Sequence, residues 1–283
     1  MGTLNARDKL RAALLSLLIA VAALAIWHVT TVKPAPTAAT GVSAEYAALM
    51  GKGAEKTDGL PPPAKVAEAF VHHLGRPFYD NGPNDKGIGV QLAYSLARVG
   101  LGFVLAVVVA LPLGFAIGMS PLLYRALDPF IRVLKPISPL AWMPLALYTI
   151  KDSDISGVFV IFICSIWPML INTAHGVASV RKEWLNVART LELKPWRKAF
   201  EVVLPAAAPT ILTGMRISMG IAWLVIVAAE MLVGGTGIGY FVWNEWNNLA
   251  LPNVIFAIVV IGVVGMALDA LFGRLQRAAT YRE

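Results

Sequence analysis

The chain has 283 residues, 57% hydrophobic and 14% charged, with a mean hydropathy of +0.67 and a formal net charge of +7. Soluble domains carry about 25% charged residues, so this composition excludes an ordinary soluble protein. Apolar blocks of about twenty residues, without the in/out alternation of a barrel, predict an all-α, polytopic membrane protein of about six transmembrane helices.

A short basic N-terminus, MGTLNARDKLR, precedes an apolar run from Ala12 to Thr30. The run is long for a secretory signal, and Lys33-Pro34 follows it without a small-residue cleavage site. An uncleaved first spanning helix is expected, making residues 1–30 one unit. Residues 31–88 differ in character. Prolines and glycines interrupt them, and six basic residues balance six acidic ones, as in an outer loop. Within that loop Ala64–Leu74 has apolar residues at helical spacing after a proline start, so a short helix on the surface or against the bundle is expected. Residues 40–60 are its expected mobile part. His72 and His73 are adjacent and cannot share a helical face, and no Cys/His cluster suggests a metal site.

Residues 89–283 form the expected core. The second span runs from Gly89 to Gly118, and its Gly114 and Gly118 form a G-x-x-x-G pair that lets helix backbones approach. A turn at 119–126 leads to a third segment, Leu127–Ile150, holding Pro129, Pro136, Pro139 and Pro144. So many prolines require a broken helix, tolerated in lipid only beside protein or a wet cavity. That places it near a pathway, with Trp142, Met143 and Pro144 as candidate gate residues by position. A polar turn, Lys151–Asp154, precedes the fourth span, Ile155–Val177. The lone cysteine, Cys164, reads as a small buried hydrophobe. The fifth span is expected at Ala206–Leu232, the loop GGTGIGYFVWNEWNNLALPN after it, and the sixth at Val254–Leu271.

Charge sets the orientation. The N-terminus, the 119–126 turn, residues 180–204 and the tail hold thirteen of the 24 Lys/Arg, while the longer outer loops hold seven, which puts both termini in the cytoplasm. No G-x-x-x-x-G-K-[ST], H-E-x-x-H, G-x-S-x-G or paired carboxylates occur, and GGTGIG follows a membrane helix rather than a strand. No catalytic residue and no cofactor bound by the chain are expected. Arg98, Arg132, Lys135 and Arg216 lie in or near spans, where charge is costly and often functional. Each is a candidate for that pathway; snorkelling also accounts for the last three. Glu230 pairs with a basic group or helps close an outer gate.

The interlude Arg181–Pro205, RKEWLNVARTLELKPWRKAFEVVLP, reads as two amphipathic helices broken at Pro195. Trp196 and Phe200 share a helical face that Val203 and Leu204 extend. That face fits either a groove on a partner protein or the lipid headgroups. Aligned on Leu204-Pro205, the stretch Asn186–Pro205 resembles the EAA loop of permeases in binding-protein-dependent importers of the ATP-binding-cassette class. Ala188, Arg189, Thr190, Leu191, Trp196, Val202, Leu204 and Pro205 match family choices, while Asn186, Val187 and Glu192 replace the acidic residue, an alanine and the turn glycine. With glutamate at 192 the turn needs another solution, for which Pro195 is the candidate. KPISPLAWMPLALYTIKDSD, FVIFICSIWPMLINTAHGV and MRISMGIAWLVIVAAEMLVGGTGIGYFVWNEWN resemble the nitrate, bicarbonate and cyanate permeases of the nitrate/sulfonate/taurine branch.

The resemblance implies a type I importer permease (MetI-like) fold in a bacterial inner membrane. It implies a homodimer, cytoplasmic ATPase subunits carrying ATP and Mg, and a periplasmic or lipid-anchored solute-binding protein. Asn186, Ala188, Arg189, Glu192, Trp196, Arg197, Phe200, Leu204 and Pro205 then form the coupling loop to the ATPase. The implied substrate is nitrate, with bicarbonate, cyanate or a sulfonate as alternatives. An ATP-independent secondary transporter would leave the basic loop without a task.

Overall fold

The computed structural model describes residues 6–31, 60–82 and 84–279. Apolar sequence dominates them, and they fold into helices joined by short irregular connections, with an isolated bridge between Asp80 and Lys86. Helix α1 (Ala6–Thr31) exposes every side chain from Leu10 to Ile26, as a helix made for lipid or for another chain does. It is tied to the rest where Trp27 Nε1 donates to the Pro61 carbonyl at 3.1 Å. Helix α2 (Pro63–Gly75) starts on a proline and buries Val66, Ala69 and His73. It packs on the bundle rather than lying free. The expected mobile region at 40–60, apart from Leu60, lies outside the described residues.

Helix α3 (Ile88–Met119) crosses in one piece despite Pro112. The expected turn at 119–126 is instead one residue, Ser120, whose hydroxyl accepts from Leu123 N at 3.4 Å and starts α4 (Pro121–Leu134). The third segment is broken as expected, but at Lys135–Ser138. There α4 meets α5 (Pro139–Ile150) at 91°. Pro136 lies within the break and Pro139 opens α5, whereas Pro129 and Pro144 are carried inside helices.

Lys151, at φ 59°, ends α5, and the Asp152 carboxylate caps α6 (Ser153–Ala178) by accepting from Ile155 N at 2.8 Å. Helix α6 is the centre of the bundle, packed along α3 on one side and α8 on the other. Close approach to α3 depends on glycine. A Cβ at Gly114 would lie 2.7 Å from Thr173 Cβ, and one at Gly118 would lie 2.6 Å from the Ala174 carbonyl. The G-x-x-x-G pair is a packing seam.

Helix α7 (Lys182–Thr190) is the first of the two expected loop helices. The second is not separate. A 39-residue helix α8, Pro195–Val233, runs from the loop through the bundle, with a π-helical stretch at Lys198–Val203. The following loop also contains more than a turn: Gly234 and Gly235 take positive φ, and then α9 (Ile238–Asn247) forms. Helix α10 (Leu251–Ala279) absorbs both Pro252-Asn253 and the first basic residues of the tail. Among the described residues five helices are long and apolar enough to span, and α4–α5 makes a sixth crossing if counted as one bent span. The chain is a multi-pass, all-α membrane protein.

Candidate functional site

Chemistry gathers at the two ends of α8. At its C-terminal end Glu230 is buried to 3% side-chain exposure. Its carboxylate accepts from Ser95 Oγ at 2.8 Å, Gly239 N at 3.0 Å and Arg98 Nη1 at 2.7 Å. Arg98 reaches further: Nη1 also donates to the Thr236 carbonyl at 2.6 Å, and Nη2 to Asp154 Oδ1 at 2.6 Å. Gln91 Oε1 accepts from Gly237 N at 2.5 Å, and Ser95 Oγ from Ile238 N at 2.9 Å. The loop Gly234–Gly239 is thus wound around one carboxylate. Glycine is required there, since a Cβ at Gly237 or Gly239 would collide with Glu230 or with the Val227 carbonyl. This cluster latches α3, α6, α8 and the start of α9 together. Met143 on α5 packs beside it.

Arg98 and Glu230 were both sequence candidates, and the structure brings them into one ion pair. Gln91, Ser95 and Asp154 were missed. The signal for the first two was present, because Gln91, Ser95 and Arg98 fall at i, i+4 and i+7, one polar stripe along an otherwise apolar helix.

The other candidates lie apart. Arg216 Nε and Nη2 grip Asp269 at 2.6 and 2.5 Å, fastening α8 to α10, and Gln276 Nε2 donates to Thr213 Oγ1 at 2.7 Å beside them. Arg132 pairs with Asp128 at 2.7 Å. Trp142 lines a cavity of about 260 Å³ below the α4–α5 break, together with Lys135, Cys164 and Trp167. Pro144 is exposed on α5.

At the other end of α8 lies the basic loop. Ala188 anchors it at 2% exposure, while Asn186, Arg189 and Pro205 face outward. Trp196 at 61% and Phe200 at 62% are open apolar surface, with Val187 exposed on α7 and Leu191 exposed just past its end. Val203 does not extend that face. It is fully buried with Val177, Ala207 and Ile211, and Leu204 leans on the same cluster. Phe200 and Val203 both lie within the π-helical stretch Lys198–Val203, where the angular step per residue differs from the α-helical one that extends the face from Trp196. Arg197 turns back to Glu201 at 2.8 Å. The turn is solved by Glu192 itself, which takes φ 48°. Pro195 instead supplies the first turn of α8, the helix position that tolerates proline best.

Residues 102–281 match the family model described as the inner membrane component of binding-protein-dependent transport systems. The chain belongs to this family. A nitrate import permease protein of Synechocystis sp. is 46% identical over 217 residues, covering 77% of this chain and 79% of that protein. A bicarbonate transport system permease protein of the same organism is 43% identical over 221 residues, again 77% and 79% of the two chains. In fold, the chain superposes on a chain of an inward-facing methionine ABC transporter with a TM-score of 0.59, at 15% identity, over 67% of this chain and 94% of that one. The family match takes in both ends of α8, with Glu230 and the exposed aromatic loop, while Gln91, Ser95 and Arg98 lie just before it.

Proposed function

We propose that the chain is the non-catalytic permease subunit of an ATP-driven importer of a small inorganic anion, nitrate. The observation that carries this reading is the 46% identity to a nitrate import permease over 77% of the chain. Bicarbonate is the second reading, favoured by the 43% identity to a bicarbonate permease.

In this reading the loop at 181–205 docks on a cytoplasmic ATPase that holds the ATP and Mg. Trp196 and Phe200, exposed four residues apart, fill its groove, and the basic residues around them meet acidic groups. A solute-binding protein delivers the anion at the opposite end, and a second copy of the chain completes the path. Residues 1–30 supply a cytoplasmic segment and the first transmembrane helix, 31–88 a periplasmic loop, and 89–283 the working core. The Lys/Arg distribution supports cytoplasmic termini. Closure of the ATPase draws the loops together, and α8 carries that displacement to the Arg98–Glu230 latch, which gates the outer face beside Met143. Trp142 and Pro144 belong to the hinge at the α4–α5 break, and Arg216 holds α8 to α10 as the two move. ATP biases a two-state equilibrium, so distant sites share one coupling free energy.

The test is ATP hydrolysis by the chain in liposomes with its ATPase and binding protein, with nitrate, bicarbonate, cyanate or a sulfonate supplied. Stimulation by nitrate supports the first reading, and stimulation by bicarbonate alone replaces it with the second. Trp196→Asp is expected to abolish stimulation and ATPase binding while leaving the fold intact. Undiminished ATPase binding by that variant would overturn the coupling assignment.

A further inference from the structure

Helix α4 lies at the margin of the bundle. It is amphipathic, departs by 91° from α5, and has no buried residue. Leu122, Phe130 and Val133 are exposed, the pattern of a helix lying in a membrane interface. Between α4 and the ends of α3 and α6 is a cavity of about 540 Å³. Its walls are of two kinds. Ile117, Ile131, Leu170, Ile171 and Ala174 make an apolar side, and Arg125, Arg132 and Lys135 make a cationic rim. Asp128 answers Arg132 at 2.7 Å, but neither Arg125 nor Lys135 has a carboxylate within ion-pair distance among the described residues.

We propose that this cavity binds an anionic phospholipid, its headgroup phosphate between Arg125 and Lys135 and the upper part of an acyl chain along Ile117, Ile131, Leu170 and Ile171. Charge and size both select this occupant. Two unanswered cations at the edge of a spanning bundle are the chemistry that holds a lipid phosphate, and anionic lipid is concentrated on the cytoplasmic leaflet, the side assigned above to this end of the bundle. A small inorganic anion, on the order of one or two water volumes of about 30 Å³ each, would leave the space mostly empty and the apolar wall wet. A phospholipid satisfies both walls and gives α4 the cover that the chain itself does not. Binding is read without ATPase, binding protein or transport, so it stands or falls separately from the importer reading.

The experiment is native mass spectrometry of the full chain titrated with phosphatidylglycerol and with phosphatidylcholine of the same acyl chains. Each cation near a headgroup is worth about fivefold, so a preference of about 30-fold for phosphatidylglycerol is expected, falling to within about twofold in R125Q/K135Q and retained in R125K/K135R. No preference in the unaltered chain, or an unchanged preference in R125Q/K135Q, would overturn the site. Displacement of the lipid by millimolar inorganic phosphate or nitrate would reassign the cations to a small anion and equally overturn it. A photoreactive benzoylphenylalanine at position 131, with Arg125 and Lys135 intact, keeps the test open should the double variant fold poorly. A phosphatidylglycerol adduct is expected, and a crosslink to a second copy of the chain would show that protein, not lipid, covers α4.

Discussion

Removing Arg98 should cost far more than removing the more exposed of its two acidic partners. Arg98 has 11% side-chain exposure, Glu230 3% and Asp154 70%. Breaking a buried pair by deleting one partner costs about 3–5 kcal/mol, because the remaining charge is left uncompensated. Arg98 retains some solvent, and Ser95 Oγ and Gly239 N still donate to Glu230, so Arg98→Met belongs at the lower end, about 3 kcal/mol. Asp154→Asn removes a solvent-screened partner and should cost about 1 kcal/mol or less. Glu230→Gln should fall between, about 2 kcal/mol, since an amide nitrogen must then face the Ser95 and Gly239 donors. Arg98→Met combined with Glu230→Met should cost less than the sum of the two single changes, because each single change leaves an unpaired group behind. Cys164, a single and buried thiol, reports the outcome directly. Its labelling by a maleimide dye in detergent, as denaturant rises, follows opening of the bundle. At tenfold per about 1.4 kcal/mol, Arg98→Met should raise the open fraction about a hundredfold. If its midpoint equals that of Asp154→Asn, the latch does not hold the outer end and the reasoning fails.

Gly118→Val should destabilise by about 1–3 kcal/mol through overpacking against Ala174 and Val177, whereas Gly100→Ala, with open space at its Cβ, should be neutral or mildly stabilising in the same labelling assay. Glu192→Gly should stabilise the basic loop by about 1 kcal/mol by removing the cost of a left-handed glutamate, and slower amide exchange over residues 186–194 would register it. His73 stacks on Phe256 at 5.0 Å with neither ring nitrogen hydrogen-bonded, and Asn253 beside it gives its amide to Glu245 instead. Desolvation holds the His73 pKa below its ordinary 6.5, against the raising influence of Glu245 and Asp85 and with the lowering influence of His72. The unfolded state therefore takes up the proton first, so docking of α2 should weaken as pH falls from about 6.5 toward the lowered value. His73→Phe should abolish this pH dependence, and amide exchange in α2 at pH 7 and pH 5 measures it.

The membrane architecture was legible because a span has one dominant signature, about twenty apolar residues, and every long helix has it. Where one helix runs into another, hydropathy carries less information. Pro121 and Pro195 read as loop residues by composition, yet each opens a helix at its first turn, where a missing N–H costs nothing. Glu192 stands where a glycine belongs, yet it takes the left-handed backbone itself, in a terminal turn where Leu193 N donates to the Ala188 carbonyl at 3.1 Å and Glu192 N to the Arg189 carbonyl at 2.9 Å. The Arg98–Glu230 pair was unreadable as a pair because the partners are 132 residues apart, and no local pattern encodes which distant charge a buried carboxylate meets.

Helix α8 joins the two ends mechanically. Its 39 residues at 1.5 Å each span about 58 Å without an interruption in helical backbone. One end carries Trp196 and Phe200, exposed and free to be gripped, and the other carries Glu230, fixed by three donors. A rod so loaded cannot be displaced at the loop without stress at the latch, unless it yields between them. The π-helical stretch at Lys198–Val203 is the place where its regular bonding changes, but Val203 is fully buried there against Val177 and Ala207, which stiffens it. The cavity under α4 lies outside this line of force. Filling it with lipid would therefore steady the α4–α5 elbow while leaving α8 free to move, so R125Q/K135Q should speed amide exchange in α4 without changing it in α8 around Glu230.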